Sequence, residues 1–164
     1  MIIKEAIGNI NELQVGNRNI DYLQLEWFET AKRIQRKHTR DGMEIAIKFL
    51  KEGQRLRQGD VLYMDDKKIV VVEIAPCDAI AITPHSMMEM GSVCYEIGNK
   101  HLPVFIQNNQ VLLPYEEPIF RWLIASGYAA SKEHAQLLNM LSTNVQPHQH
   151  GSSSLFSKIM GLGN

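Results

Sequence analysis

The sequence predicts an α+β fold in two parts: an N-terminal antiparallel β domain over 1–75 and a C-terminal ferredoxin-like (βαββαβ) domain over 76–145. Three observations carry this. An Asp41-Gly42 pair stands between two extended stretches, the pattern of a tight hairpin. Pro76 closes a strongly β-branched run, and the hydrophobic pattern changes after it. Beyond Pro76 the segments follow the order strand, helix, strand, strand, helix, with room for a last strand, which is the order of a split βαβ unit.

In the first part, Met1–Ile7 is a short apolar start. Ile20–Trp27 alternates, with Tyr22, Gln24 and Glu26 on one side and Leu23, Leu25 and Trp27 on the other. Arg33–Thr39 and Glu44–Leu50 flank Asp41-Gly42, where a type I′ turn is expected because both central residues must take positive φ. A second hairpin at Asp65–Lys68 joins Val61–Met64 to Ile69–Ile74, and Gly53 and Gly59 bracket the loop between the hairpins. The run Ile69-Val70-Val71-Val72 reads as a buried strand.

In the second part, Ala79–Thr83 is a strand. Ser86 and Glu89 have the spacing of a capping box and open a helix whose apolar face is Met87, Met90, Cys94 and Ile97. Gly98 and Asn99 are its expected stop, and Pro103 prevents continuation. Val104–Asn108 and Val111–Leu113 are strands turning at Asn108-Asn109. A second helix runs from about Pro118 to a stop at Gly127, and Ser131–Leu141 is a candidate last strand or irregular piece. Residues 146–164 read as a flexible, His-containing tail: Gln146–Ser154 is polar, and Leu155, Phe156, Ile159 and Met160 could form only one short amphipathic turn.

Composition excludes several classes of function. A formal net charge of −1 gives no general pull toward nucleic acid or a membrane surface. No apolar run approaches the roughly 20 residues of a membrane span, and the N-terminus lacks the layout of a secretory signal, so a cytoplasmic protein is expected. The two cysteines, Cys77 and Cys94, lack C-x-x-C spacing, which argues against a disulfide framework or a thiolate zinc site. There is no G-x-S-x-G, Walker, G-x-G-x-x-G or H-E-x-x-H pattern, and the expectation is that the protein is not an enzyme. The basic run Lys32, Arg33, Arg36, Lys37 and Arg40 is either a partner-binding or nucleic-acid patch or, the favoured reading, a solvated edge strand.

The six histidines remain. His38, His85 and His134 read as ordinary surface residues. His101 lies at the end of the first predicted helix beside an apolar surface; from the residues alone it is either a helix-capping histidine or a metal ligand. His148 and His150 point to the same side of an extended chain and could close on one ion, or belong to a merely polar tail. A single His101 cannot hold an ion tightly, whereas two copies meeting on a twofold axis, helped by tail imidazoles, can. Such a site stays partly open and suits handing an ion over.

The segment Cys94-Tyr95-Glu96-Ile97-Gly98-Asn99-Lys100-His101 resembles the Gly-Asn-Arg-His segment of the UreE family, the urease accessory nickel metallochaperones. Asp21–Thr30, Thr39-Arg40-Asp41-Gly42 with Glu44–Ile47, Gln58-Gly59-Asp60-Val61-Leu62 and Tyr115-Glu116 extend the resemblance over nearly the whole chain. It implies a β domain that engages protein partners and a ferredoxin-like domain that forms a homodimer. It implies a metal site on His101 of both protomers, helped by His148 and His150, with nickel (Ni2+) as cargo. The implied partners are the urease accessory GTPase and the urease apoprotein complex. Zinc and copper also suit imidazole. Lys100 departs from the family's arginine, keeping the charge but losing the planar fork. The other reading is a protein-binding adaptor in which metal is incidental.

Overall fold

The computed structural model describes residues 1–51 and 53–141. Its first part holds β1 (Ile2–Ile3), β2 (Gly8–Asn9), β3 (Asn19–Leu25), β4 (Ile34–His38), β5 (Glu44–Lys48), β6 (Asp60–Met64) and β7 (Lys68–Ile74). These form two sheets, in the orders β1-β5-β4 and β2-β6-β7-β3. Both hairpins form where expected. The wholly antiparallel expectation is corrected, however, because β1 pairs with β5, and β3 with β7, in parallel. Hairpin signals govern only strands joined by a short turn. β3 reaches β7 across a long connection that holds the β4–β5 hairpin and β6, and a connection of that length permits a parallel pair.

The first hairpin also differs in its turn. Gly42 takes φ 87°, but Asp41 is not left-handed. The Gly42 N–H donates to the Thr39 carbonyl at 3.0 Å, and the Thr39 N–H to the Met43 carbonyl at 2.9 Å. This is the longer hairpin loop that ends on a left-handed glycine. The fully buried run Ile69–Val72 separates two cores: Val70 and Val72 face Leu23, Leu25, Ile45 and Ile47, whereas Ile69 and Val71 face Val61 and Leu13.

The second part holds β8 (Cys77–Ile82), α1 (Met87–Asn99), β9 (Phe105–Gln107), β10 (Gln110–Pro114), α2 (Glu117–Ala125) and β11 (Ala130–Ala135). The sheet order is β11-β8-β10-β9, and every neighbouring pair is antiparallel. The β9–β10 turn is where two consecutive left-handed residues occur, Asn108 at φ 52° and Asn109 at φ 59°. Both helices pack on one sheet face around Ile80, Ile82, Val93, Ile97, Leu113 and Leu123. The other face buries Ala79, Ala81, Phe105 and Leu112 beneath Leu137 and Trp27. Trp27 comes from the first part and meets Phe105 edge-on, with centroids 5.6 Å apart.

The candidate last strand ends at Ala135, short of Leu141. Beyond it the chain runs along β9: the Ile106 N–H donates to the Asn139 carbonyl at 3.1 Å and the Leu141 N–H to the Val104 carbonyl at 2.8 Å. This segment covers an edge that would otherwise be open. Among the described residues, no helix is long and apolar enough to cross a membrane.

Candidate metal centre

The site is built at the C-terminal end of α1. Ser86 caps the start, its hydroxyl accepting from the Glu89 N–H at 3.1 Å. The Glu89 carboxylate accepts in return from the His85 N–H at 2.7 Å, one residue earlier than a standard capping box requires. Val93 and Ile97 are buried, and Met90 and Cys94 are half-buried against the same core. Met87 was expected on this face but is 86% exposed. It shares the outer side of α1 with Met88, Gly91, Ser92 and Tyr95, an apolar patch facing solvent in the single chain.

Gly98 and Asn99, the expected stop, lie inside the helix. Termination occurs at His101, whose φ is +57°. Its N–H donates to the Gly98 carbonyl at 2.9 Å, and the Leu102 N–H reaches the Ile97 carbonyl at 3.4 Å. This is the Schellman pattern, with Leu102 packed in the same core as Ile97. The left-handed position of that motif usually belongs to glycine or asparagine. A residue with a Cβ there costs about 1–2 kcal/mol. The side chain of this unusual terminator is exposed.

The other described histidines stand apart from it. His134 is tied to Asp78, with Nδ1 and Oδ1 3.3 Å apart, and Lys132 pairs with the same carboxylate at 2.8 Å. His38 ends β4, and His85 precedes the α1 cap. Among the described residues, no three His, Cys, Asp or Glu side chains gather as a ligand set. His148, His150 and the stub Leu155–Met160 lie outside the described residues. The last described residue, Leu141, bonds by its backbone N–H to the Val104 carbonyl, a few residues after His101.

The cations of the basic run have partners within the chain, most of them at the surface. Lys37 pairs with the largely buried Glu29 carboxylate at 2.7 Å, and Lys32 reaches it at 3.4 Å. Burial alone would push the Glu29 carboxyl up, but Lys37, the Glu26 N–H and Lys32 outweigh it and hold it below the ordinary range. Arg33 donates to the carbonyls of Phe49 and Leu50, Arg40 pairs with Glu73, and Arg36 lies 3.7 Å from Glu44. β4 is also the edge of its sheet, so the run behaves as a charged edge strand.

Two contacts escaped the sequence reading. Asp21, fully buried on β3, pairs with Lys68 at 2.8 Å and accepts from the Asp41 N–H at 3.1 Å. Lys100 places its ammonium 4.4 Å over the ring of Trp122. Both join residues far apart in sequence, so no local pattern announces them.

Comparison with known proteins gives the class first: accessory proteins, not enzymes. Residues 3–75 match the family model described as UreE urease accessory protein, N-terminal domain, and residues 77–154 match the corresponding C-terminal domain. A urease accessory protein UreE of Flavobacterium johnsoniae is 61% identical over 163 residues, covering 99% of each chain. One from Acetivibrio thermocellus is 36% identical over 93% of this chain and 99% of its own. One from Helicobacter pylori is 41% identical over 72% and 71%. The chain belongs to the UreE family of urease accessory proteins.

Proposed function

We propose that this chain is a cytoplasmic, homodimeric metallochaperone that binds nickel and delivers it for assembly of the urease active site. It would act with the urease accessory GTPase and the urease apoprotein complex. The observation that carries this reading is His101, an exposed imidazole held left-handed at the end of α1. Backbone strain kept at an exposed metal-binding side chain is a reason to look for function there.

Ligand number then demands a second copy. One imidazole at the end of α1 in each chain is too few, and the apolar patch of Met87, Met88 and Tyr95 on the same helix supplies a surface for a self-facing contact. The seven residues from Leu141 to His148 span at most about 24 Å, which lets tail imidazoles reach the His101 region. His101 from both protomers, with His148 or His150, gives three or four nitrogen donors. Zinc and copper would compete for such a set, so nickel selection rests on supply and on the receiving partner.

In the same reading the chain divides at Pro76 into a partner-binding β domain (1–75) and a metal-binding, dimerising domain (76–145), followed by the tail (146–164). The order β11-β8-β10-β9 with two helices on one face supports a ferredoxin-like arrangement for the second domain. The adaptor alternative rests on the basic run, whose cations have partners within the chain but stay largely at the surface, and on the stub Leu155–Met160, which lies outside the described residues. The test is a nickel titration by calorimetry. The expected result is about one tight ion per dimer, lost in His101→Ala. Tight binding that survives His101→Ala would overturn the reading.

A further inference from the structure

His101 is set by the last turn of α1, which shares a core with α2 and reaches it by one further polar side-chain contact. Lys100 is the C-cap residue, with φ −85° and ψ 2°, and its N–H bonds back to the carbonyls of Ile97 and Gly98. Its ammonium lies 4.4 Å over the ring of Trp122, within the range of a cation–π attraction. Trp122 sits in α2 beside the buried Leu123, and its half-buried ring packs against the same core as Ile97 and Leu102. A positive charge at a helix C-terminus also complements the exposed carbonyls there.

We propose that Lys100 and Trp122 form a clamp that positions His101 for metal binding; this rests on the assignment of His101 as a ligand. Helix ends fray, and His101 holds a left-handed conformation that the free chain disfavours. The turn that maintains it depends on bonds from the His101 and Leu102 N–H groups, the second of them long at 3.4 Å. Fixing the residue just before His101 to a neighbouring helix opposes unwinding at that point. The contact also gives the Lys100 ammonium a resting place on α2, so the cation next to the ligand is not free to sweep across an incoming metal ion. Arginine can stack on the same indole face, so the clamp requires a cation rather than lysine in particular.

The test is nickel calorimetry on the full chain with Lys100→Ala, Lys100→Arg, Trp122→Leu, Trp122→Phe and His101→Ala, alongside thermal unfolding without metal. Because one clamp on each protomer acts on a shared ion, Lys100→Ala and Trp122→Leu should weaken nickel binding by about 5- to 30-fold at unchanged stoichiometry. Lys100→Arg should restore the wild-type value, and Trp122→Phe should fall between. A merely structural contact would lower the melting temperature and leave the affinity of the folded protein unmoved. Wild-type affinity in Lys100→Ala overturns the clamp, and so does failure of Lys100→Arg to rescue. If Trp122→Leu does not fold, Lys100→Ala and Trp122→Phe decide. Loss of binding in His101→Ala together with wild-type binding in Lys100→Ala refutes the clamp alone. Retained binding in His101→Ala refutes the ligand assignment and the clamp with it.

Discussion

The backbone N–H of Leu141 donates to the carbonyl oxygen of Val104 at 2.8 Å, so the last described residue is fixed beside the segment that follows His101, although the two are distant in sequence. Truncation after Pro147 removes both tail histidines and leaves this anchor in place. Nickel binding should persist but weaken, by about 10- to 100-fold for a lost imidazole donor, at unchanged stoichiometry per dimer. Calorimetry of the truncated chain checks this. Complete loss would make the tail, and not His101, the principal ligand source.

The left-handed His101 gives a prediction in which stability and function move in opposite directions. His101→Gly removes the Cβ that disfavours φ +57° and should abolish nickel binding. Glycine also loosens the unfolded chain, so a net stabilisation of about 0.5–1 kcal/mol is expected. Urea unfolding of the metal-free protein measures it, and a destabilised His101→Gly would show that the imidazole makes a structural contact.

If His101 works in pairs, the α1 patch controls metal binding from a distance. Met88 is 80% exposed and Tyr95 72% in the single chain. A charge introduced there, as in Met88→Glu or Tyr95→Glu, should leave the fold intact and split the dimer. Sedimentation should report monomers, and nickel affinity should drop with His101 still present. A monomeric variant that binds nickel as wild type would contradict pooling.

The pair of buried Asp21 with half-buried Lys68 in the first part predicts a dependence on pH. Burial alone would raise the Asp21 carboxyl, but Lys68, Thr39 and the Asp41 N–H outweigh it and hold it below the ordinary aspartate range. The native state therefore favours the ionised form. The resulting stability is present above the ordinary aspartate value of about 3.9 and is lost as pH falls through the lowered native value. Lys68→Met removes the cation that faces Asp21 and should destabilise the protein at neutral pH. The deficit should shrink in acid, where the orphaned Asp21 takes a proton. Urea titrations at neutral pH and near pH 4 separate this from a simple packing loss, which would not change with pH.

Local chemistry was legible wherever neighbours in sequence decide the outcome. Ser86 does cap α1, Asn108-Asn109 does turn between β9 and β10, and Ile69–Val72 is buried throughout. What stayed hidden depends on residues distant in sequence. The parallel pairing of β3 with β7 requires the placement of everything between them. The basic run could be resolved only once the short turn at Trp27–Glu29 delivered Glu29 beneath Lys37. The end of α1 was misplaced because Gly98 and Asn99 carry the usual stop signal, whereas a histidine in the left-handed position carries none. The His101 segment was legible as a motif. Its backbone state, its tie to Trp122 and the nearby bond between Leu141 and Val104 were not.

The way α1 ends has an evolutionary consequence. Random substitution at position 101 toward glycine or asparagine would make the protein more robust, since those residues suit the left-handed site. A lineage that stopped using the metal would therefore drift readily away from histidine there, with no folding defect to oppose it. If His101 holds the metal as proposed, a histidine retained at this position is a record of continued use, and its replacement by glycine in a relative would mark a protein that kept its shape after giving up its cargo.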